Sequence, residues 1–114
     1  TGGEWISSLA LEDLVSRHPA VREVAVVGIA DPQWGERPFA LLVVREGHVI
    51  DARELKEHLK PFVELGHLSK WAIPSQIAVV TEIPKTSVGK LDKKRIRVDI
   101  IEWQANNSTF LSTL

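Results

Sequence analysis

The residues whose types and spacing could do chemistry lie in one stretch, IPKTSVGK at residues 83–90. Its Gly-Lys ending is typical of a phosphate-binding loop, in which backbone N–H groups and a lysine hold phosphate. However, Pro84 stands where that motif requires its first glycine, and Leu91 stands where it requires Ser or Thr. The stretch is therefore not a P-loop, and Lys90 needs another explanation.

The local residue types still suggest a lysine presented on a shaped loop. Pro84 stiffens the entry, Gly89 permits a positive φ, and Thr86 and Ser87 keep the loop polar. An ammonium held out on such a loop is suited to stabilising negative charge that develops in a transition state. The alternative for Lys90 is an ordinary surface lysine in a turn.

Other chemistries find little support in the sequence. The absence of cysteine excludes disulfides, zinc-thiolate sites and cysteine nucleophiles, and it fits a cytosolic protein. The four histidines are scattered without metal-ligand spacing, so we expect no metal site here. No nucleophile elbow is present to support Ser-His-Asp catalysis. The run KKRIR at residues 93–97 has no interleaved aromatic residues, so we expect no nucleic-acid partner.

Length and charge indicate one domain with an uneven charge distribution. The 114 residues suffice for one hydrophobic core, and no apolar run is long enough for a transmembrane segment. Net charge is −1, yet all six bases of residues 84–114 lie between Lys85 and Arg97. Such clustering indicates either an anionic partner or a solvated helix face. The absence of methionine favours a piece of a longer chain.

The pattern of apolar residues predicts an α+β fold, with a small mixed sheet of about three main strands and helices packed on it. A short N-terminal strand precedes these elements and a C-terminal helix follows them, in the order β-α-β-β-α-β and then α. The predicted elements are a strand at 4–8, a helix at 9–18, strands at 21–30 and 39–46, a helix at 51–60 that Pro61 ends or kinks, a strand at 76–83 and a helix at 91–103.

Four collinear stretches resemble one enzyme family. They are GGEWISSLALED, HPAVREVAVVGIADPQWGERPFALLVV, LSKWAIPSQIAVVTEIPKTSVGK and the overlapping IPKTSVGKLDKKRIR. Together they resemble the small C-terminal domain of the adenylate-forming superfamily, which includes acyl-CoA synthetases, luciferases and peptide-synthetase adenylation domains. The resemblance runs from Thr1 to about Arg97 and is closest to medium- or long-chain fatty-acyl-CoA ligases.

The resemblance implies two half-reactions and a mobile domain. In the first, a carboxylate and ATP form an acyl-adenylate, and Lys90 reaches into the active site as the adenylation lysine. In the second, the domain rotates and coenzyme A attacks the adenylate, with Gly3 against the pantetheine arm and Gly2 and Trp5 beside it. The alternative for Gly2 and Gly3 is a plain flexible turn. The resemblance also implies that Pro84, Thr86, Ser87 and Gly89 support the loop, and that the following basic residues either contact phosphates or form solvated surface.

The resemblance further implies that residues 1–103 are the mobile domain, 104–114 a frayed tail, and that a large N-terminal domain is the missing partner. That domain would bind ATP, Mg²⁺ and the fatty acid, so the fragment alone is expected to be inactive. The expected location is cytoplasmic, or peripheral to a membrane through the missing domain. Two alternatives stay open: a ligase or adenylation domain that serves a carrier protein, and a non-catalytic nucleotide- or partner-binding domain.

Overall fold

The structure is a computed structural model, and it describes residues 8–31, 35–68, 72–74, 76–105 and 111–113. Three helices and four strands occur in these ranges. In chain order they are α1 (Ser8–Ser16), β1 (Val21–Asp31), β2 (Gly35–Val44), α2 (Ala52–Glu64), β3 (Gln76–Val79), α3 (Lys93–Ala105) and β4 (Leu111–Thr113). The α+β fold class predicted from the sequence is confirmed.

The four strands form one mixed sheet in the order β1-β2-β3-β4, so that β1 is an edge strand. The β1–β2 pair is antiparallel and runs from Val21 opposite Val44 to Asp31 opposite Gly35. The β2–β3 pair is parallel, and the β3–β4 pair is antiparallel. The parallel pair requires a crossover, which α2 and the segment after it provide.

Both faces of the sheet are covered, in agreement with the continuous apolar sequence of residues 21–30, which is typical of a strand buried on both faces. One apolar cluster packs α1 and α2 against one face and includes Leu11, Val26 and Leu59. The other packs α3 against the opposite face and includes Phe39 and Ile96. We call these the α1/α2 cluster and the α3 cluster. Because successive residues of a strand point to opposite faces, β1 and β2 contribute alternately to the two clusters.

Helix α2 begins at an N-cap that its sequence predicts, since Asp51 is followed by Glu54 three residues later. The side chain of Asp51 accepts a hydrogen bond from the backbone N–H of Glu54 at 2.8 Å, which satisfies one free donor of the first turn. Pro61 does not end the helix, which continues to Glu64 and closes with the Leu65 N–H bonded to the Pro61 carbonyl. Pro61, predicted to end or kink the helix, therefore does not end it, because one lost N–H on the exposed side is tolerated where Leu59 and its neighbours bury the opposite face.

Two further differences concern the ends of the chain. Residues 4–7 of the predicted short N-terminal strand lie outside the described residues, and its last residue, Ser8, begins α1. Leu111–Thr113, within the segment predicted to fray, form β4, a strand that the sequence pattern does not predict, and pair with β3. A strand of three residues is too short for an alternating pattern to reveal it. Within the described ranges, no helix is long and apolar enough to cross a membrane.

Candidate functional site

Lys90 lies at the end of a tight loop, residues 85–91, which we call the Lys90 loop. Its backbone is closed by three hydrogen bonds around Thr86. The Thr86 N–H donates to the Lys90 carbonyl at 2.7 Å, and the Gly89 N–H donates to the Thr86 carbonyl at 3.0 Å. The Lys90 N–H reaches the Thr86 hydroxyl at 3.3 Å. Thr86 therefore holds the backbone of Lys90 through both its main chain and its side chain.

Gly89 has the backbone conformation that its position in the loop requires. Its φ is +85°, in the left-handed region that residues with a Cβ rarely adopt. A Cβ built on Gly89 would meet nothing within 4 Å, so the reason for glycine is the backbone angle and not crowding. The prediction that Gly89 permits positive φ next to Lys90 is confirmed.

The base of the Lys90 loop is fixed to the body of the domain. Lys85 and Leu91 form an isolated antiparallel β-bridge, and the Asp92 N–H donates to the Pro84 carbonyl at 3.0 Å. Just before the loop, Ile83 is buried in the α3 cluster, against which Leu91 also packs. Both stems of the loop are thus held by hydrogen bonds and by apolar packing. Ser87, predicted to support the loop, is exposed.

The side chain of Lys90 is exposed, and within the described ranges it has neither an ion-pair nor a hydrogen-bond partner. Its backbone is fixed while its four-carbon stem is free to extend. An unpaired ammonium whose backbone is held in place can approach an anionic group without first breaking an existing contact. The geometry therefore fits the role that the resemblance implies for Lys90.

Most of the neighbouring basic residues are engaged. Lys85 pairs with Glu23 at 2.7 Å, and Lys93 pairs with Glu12 at 2.9 Å. Arg95 pairs with Asp99 at 3.1 Å, and the hydrogen bond and charge of that carboxylate raise the pKa of Arg95 above its ordinary value. These contacts argue against one continuous basic surface offered to phosphate.

Arg97 is engaged as well: its Nε lies 3.4 Å from the Gly28 carbonyl on edge strand β1.

Lys93 differs most clearly from the two interpretations of the basic cluster, phosphate contact and solvated surface, because it is neither a free phosphate ligand nor a solvated side chain. Sequence reasoning missed its partner, Glu12. The sequence feature that could have indicated Glu12 is its position next to Leu11, which is fully buried in the apolar stripe of α1.

Helix α3 begins directly after the loop with an N-cap that the sequence analysis did not specify. The Asp92 side chain accepts a hydrogen bond from the Arg95 N–H at 3.1 Å. Ile96 and Ile100 then bury the face of α3 that packs on the sheet, as their helical spacing predicts. This packing fixes the direction in which α3 leaves the Lys90 loop.

The remaining predicted site residues are not located. Gly2, Gly3 and Trp5 lie outside the residues that the structure describes, so their predicted contact with pantetheine stays a prediction. Among the described residues, no group of three or more His, Asp or Glu side chains could hold a metal ion.

The family follows from comparison with known proteins. The family described as "AMP-binding enzyme C-terminal domain" matches residues 10–90, a range that ends on Lys90. The chain belongs to this family, which confirms the resemblance drawn from the sequence.

Similar proteins include two CoA ligases and a solved acyl-CoA synthetase. The chain is 45% identical over 97 residues to a long-chain-fatty-acid–CoA ligase of Thermus thermophilus, covering 85% of this chain and 17% of that protein. It is 41% identical over 96 residues to the mitochondrial malonate–CoA ligase of Homo sapiens, covering 84% of this chain and 16% of that protein. The crystal structure of Brucella canis acyl-CoA synthetase matches with a TM-score of 0.76 and 37% identity, covering 90% of this chain and 19% of that chain.

Proposed function

We propose that the chain is the mobile C-terminal domain of an AMP-forming acyl-CoA ligase. The parent enzyme joins a carboxylic acid to ATP, releases pyrophosphate, and then transfers the acyl group from AMP to the thiol of coenzyme A. Family membership and the two CoA-ligase relatives support this class of reaction. The chain spans only about a sixth of those relatives, so the remainder of the enzyme would supply the large domain.

The observation that carries the proposal is the exposed ammonium of Lys90, which has no partner among the described residues, on a loop whose backbone is fixed. Formation of the acyl-adenylate brings a carboxylate against the α-phosphate, so two anionic groups meet in the transition state. The ammonium of Lys90 would offset that charge and hold the carboxylate in line with phosphorus. No proton transfer by Lys90 is required.

Two separate tasks at opposite ends of the chain suit a domain that rotates between half-reactions. In the second half-reaction, withdrawal of Lys90 makes room for the thiol of coenzyme A. Gly2 and Gly3, with Trp5 beside them, would then line the passage for pantetheine. A residue without Cβ lets the backbone approach a narrow ligand closely. Rotation of a rigid domain about its connection to a larger one is an established way to exchange one set of contacts for another.

The acid that we propose is a fatty acid, as in the long-chain-fatty-acid–CoA ligase relative. The malonate–CoA ligase relative supports a short dicarboxylic acid as the second candidate. The acid, ATP and Mg²⁺ would bind mainly to the large domain. With the full-length enzyme, acid-dependent exchange of labelled pyrophosphate into ATP separates the two candidates. Exchange with a fatty acid and none with malonate supports the first, and the reverse result supports the second.

The function is tested on the full-length enzyme and on the same enzyme lacking this domain. The intact enzyme should exchange pyrophosphate in the presence of the acid and consume coenzyme A, and removal of the domain should abolish both. Transfer to a phosphopantetheine-bearing carrier protein, but not to coenzyme A, would replace the ligase by a carrier-dependent enzyme. Full activity without the domain would instead leave it a non-catalytic binding domain.

A further inference from the structure

A carboxylate is buried between α1 and the edge of the sheet. Glu12 is buried and is the one polar or charged residue among the buried residues of the described ranges. Its Oε2 accepts a hydrogen bond from the Val26 N–H at 2.7 Å and an ion pair from the Lys93 ammonium at 2.9 Å. Burial of a carboxylate without partners would be strongly unfavourable. The Val26 N–H and the Lys93 ammonium therefore compensate the burial of the Glu12 charge and hold it in place.

The ammonium of Lys93 has two acceptors, which makes its position specific. Besides Glu12 it donates to the Ser8 hydroxyl at 3.0 Å. Lys93 is the first residue of α3, whereas Ser8 and Glu12 belong to α1. A lysine side chain usually keeps many conformations, and two acceptors on one helix restrict it to a narrow set.

The contact joins the two faces of the sheet around its edge. Helix α1 packs in the cluster on one face and α3 in the cluster on the other. Val26 lies on β1, the edge strand, and its N–H points away from β2 toward Glu12. Two residues further on, the Gly28 carbonyl receives Arg97 from α3. The edge of β1 is therefore the surface to which the start of α3 is attached.

Lys93 is also three residues after Lys90, at the base of the Lys90 loop. The loop has two charged anchors, Lys85 on its entering stem and Lys93 just beyond its leaving stem. The entering anchor is paired at the surface, where the Lys85 and Glu23 side chains are 38% and 33% exposed. The leaving anchor is better shielded, with 25% and 11% for Lys93 and Glu12. Screening by water is weaker there, so the leaving stem is held more firmly.

We propose that Glu12 and Lys93 are positioning residues for Lys90. Their ion pair, in which Glu12 is buried and Lys93 is partly buried, fixes the start of α3 against α1 and β1, and so sets where the Lys90 ammonium stands when the domain closes for adenylation. The inference rests on the proposed role of Lys90. The pair touches no substrate, and its effect on the rate passes through Lys90 alone.

The test compares two adjacent carboxylates of α1 in the full-length enzyme. Glu12→Gln removes the buried charge and keeps an oxygen for the Val26 N–H, whereas Asp13→Asn removes the exposed partner of Arg17. Glu12→Gln should slow adenylation by roughly 10- to 100-fold, because small displacements of a reacting group cost this much. Transfer of the acyl group from supplied acyl-adenylate to coenzyme A should stay within about twofold, since Lys90 is not needed there. Asp13→Asn should leave both rates unchanged.

Two substitutions at Lys93 keep the test valid if Glu12→Gln does not fold. Lys93→Met should slow adenylation as Glu12→Gln does, because it leaves the buried carboxylate without its cation. Lys93→Arg keeps that cation and should restore most of the adenylation rate. If Lys93→Arg is as slow as Lys93→Met, retention of the charge does not matter and the proposal is wrong.

A double substitution separates positioning from a general loss of structure. In an enzyme that already carries Lys90→Ala, adding Lys93→Met should change adenylation by less than about twofold, since residues acting as a unit are not additive. A full further loss, or an equal loss in both half-reactions, would make the pair merely structural. If Lys90→Ala alone leaves adenylation intact, the proposed function of Lys90 fails instead, and the two failures are thereby distinguished.

Discussion

Two lysines three residues apart, Lys90 in the Lys90 loop and Lys93 just beyond its leaving stem, use the same type of side chain in different ways. Lys90 is exposed, and within the described ranges nothing compensates its charge. Lys93 is largely shielded and engaged by Glu12 and Ser8. The role that we propose for Lys90 requires a charge that is not already paired within the domain, whereas the role that we propose for Lys93 requires a paired charge. These two proposed roles fall on residues less than one helical turn apart.

The largest expected effect on stability lies at the apolar base. Ile96 is fully buried in the α3 cluster beneath the loop. Ile96→Ala should lower the free energy of unfolding by about 2–5 kcal/mol, because it removes buried methyl groups and leaves a cavity. Val98, half-exposed on the same helix, provides the control, and Val98→Ala should cost less than about 0.5 kcal/mol. Urea unfolding measures both, and equal losses would show that the base is not specially packed.

A smaller effect on stability is expected at Gly89, the glycine directly before Lys90 in the Lys90 loop. Gly89→Ala should cost about 1–2 kcal/mol, because alanine is strained at a φ of +85°. Gly47 is a matched control, with a φ of +81° and equally open space around a built Cβ. The two substitutions should destabilise the domain equally by urea unfolding. Only Gly89→Ala should also slow adenylation, and a similar slowing by Gly47→Ala would refute the link between this turn and Lys90.

The smallest effect is expected at the entering anchor. Glu23→Gln removes the partner of Lys85 at a site where about a third of each side chain is exposed. Exposed ion pairs contribute about 0–1 kcal/mol and are weakened by salt. The free energy of unfolding of Glu23→Gln should therefore be slightly lower than that of the wild type at low salt, and this difference should shrink at high salt. If Glu23→Gln lowered the free energy of unfolding as much as Glu12→Gln does in the same measurement, the distinction between the two anchors would be removed.

Local features of the fold and site could be predicted from the sequence. Continuous apolar stretches predict strands buried on both faces, Asp51 predicts the start of α2, and Gly89 beside Lys90 predicts a turn that presents a charge. Each of these depends on neighbouring residues, whose preferences a short pattern records. The family resemblance added a role for Lys90 that the pattern alone left open.

The missed features depend on residues far apart in the chain. Ser8 and Lys93 are separated by 85 positions, and Glu12 meets Val26 only because α1 packs beside the edge of β1. Strand β4 exists because β3 offers its free edge to Leu111–Thr113. Pro61 stays inside α2 because burial of the opposite face outweighs one lost hydrogen bond. Such outcomes are decided by tertiary packing, which local periodicity does not encode.

The central claim is that Lys90 acts in adenylation and not in thioester formation. It is tested most directly with Lys90→Ala in the full-length enzyme. The control is Lys60→Ala, which removes an exposed lysine on a different element, α2. Lys90→Ala should slow acid-dependent pyrophosphate exchange by roughly 10²–10³-fold, as other losses of a charge-stabilising group do, and leave transfer from acyl-adenylate to coenzyme A near the wild-type rate. Lys60→Ala should change neither. Exchange by Lys90→Ala at the wild-type rate would contradict the account and leave Lys90 an ordinary lysine in a turn.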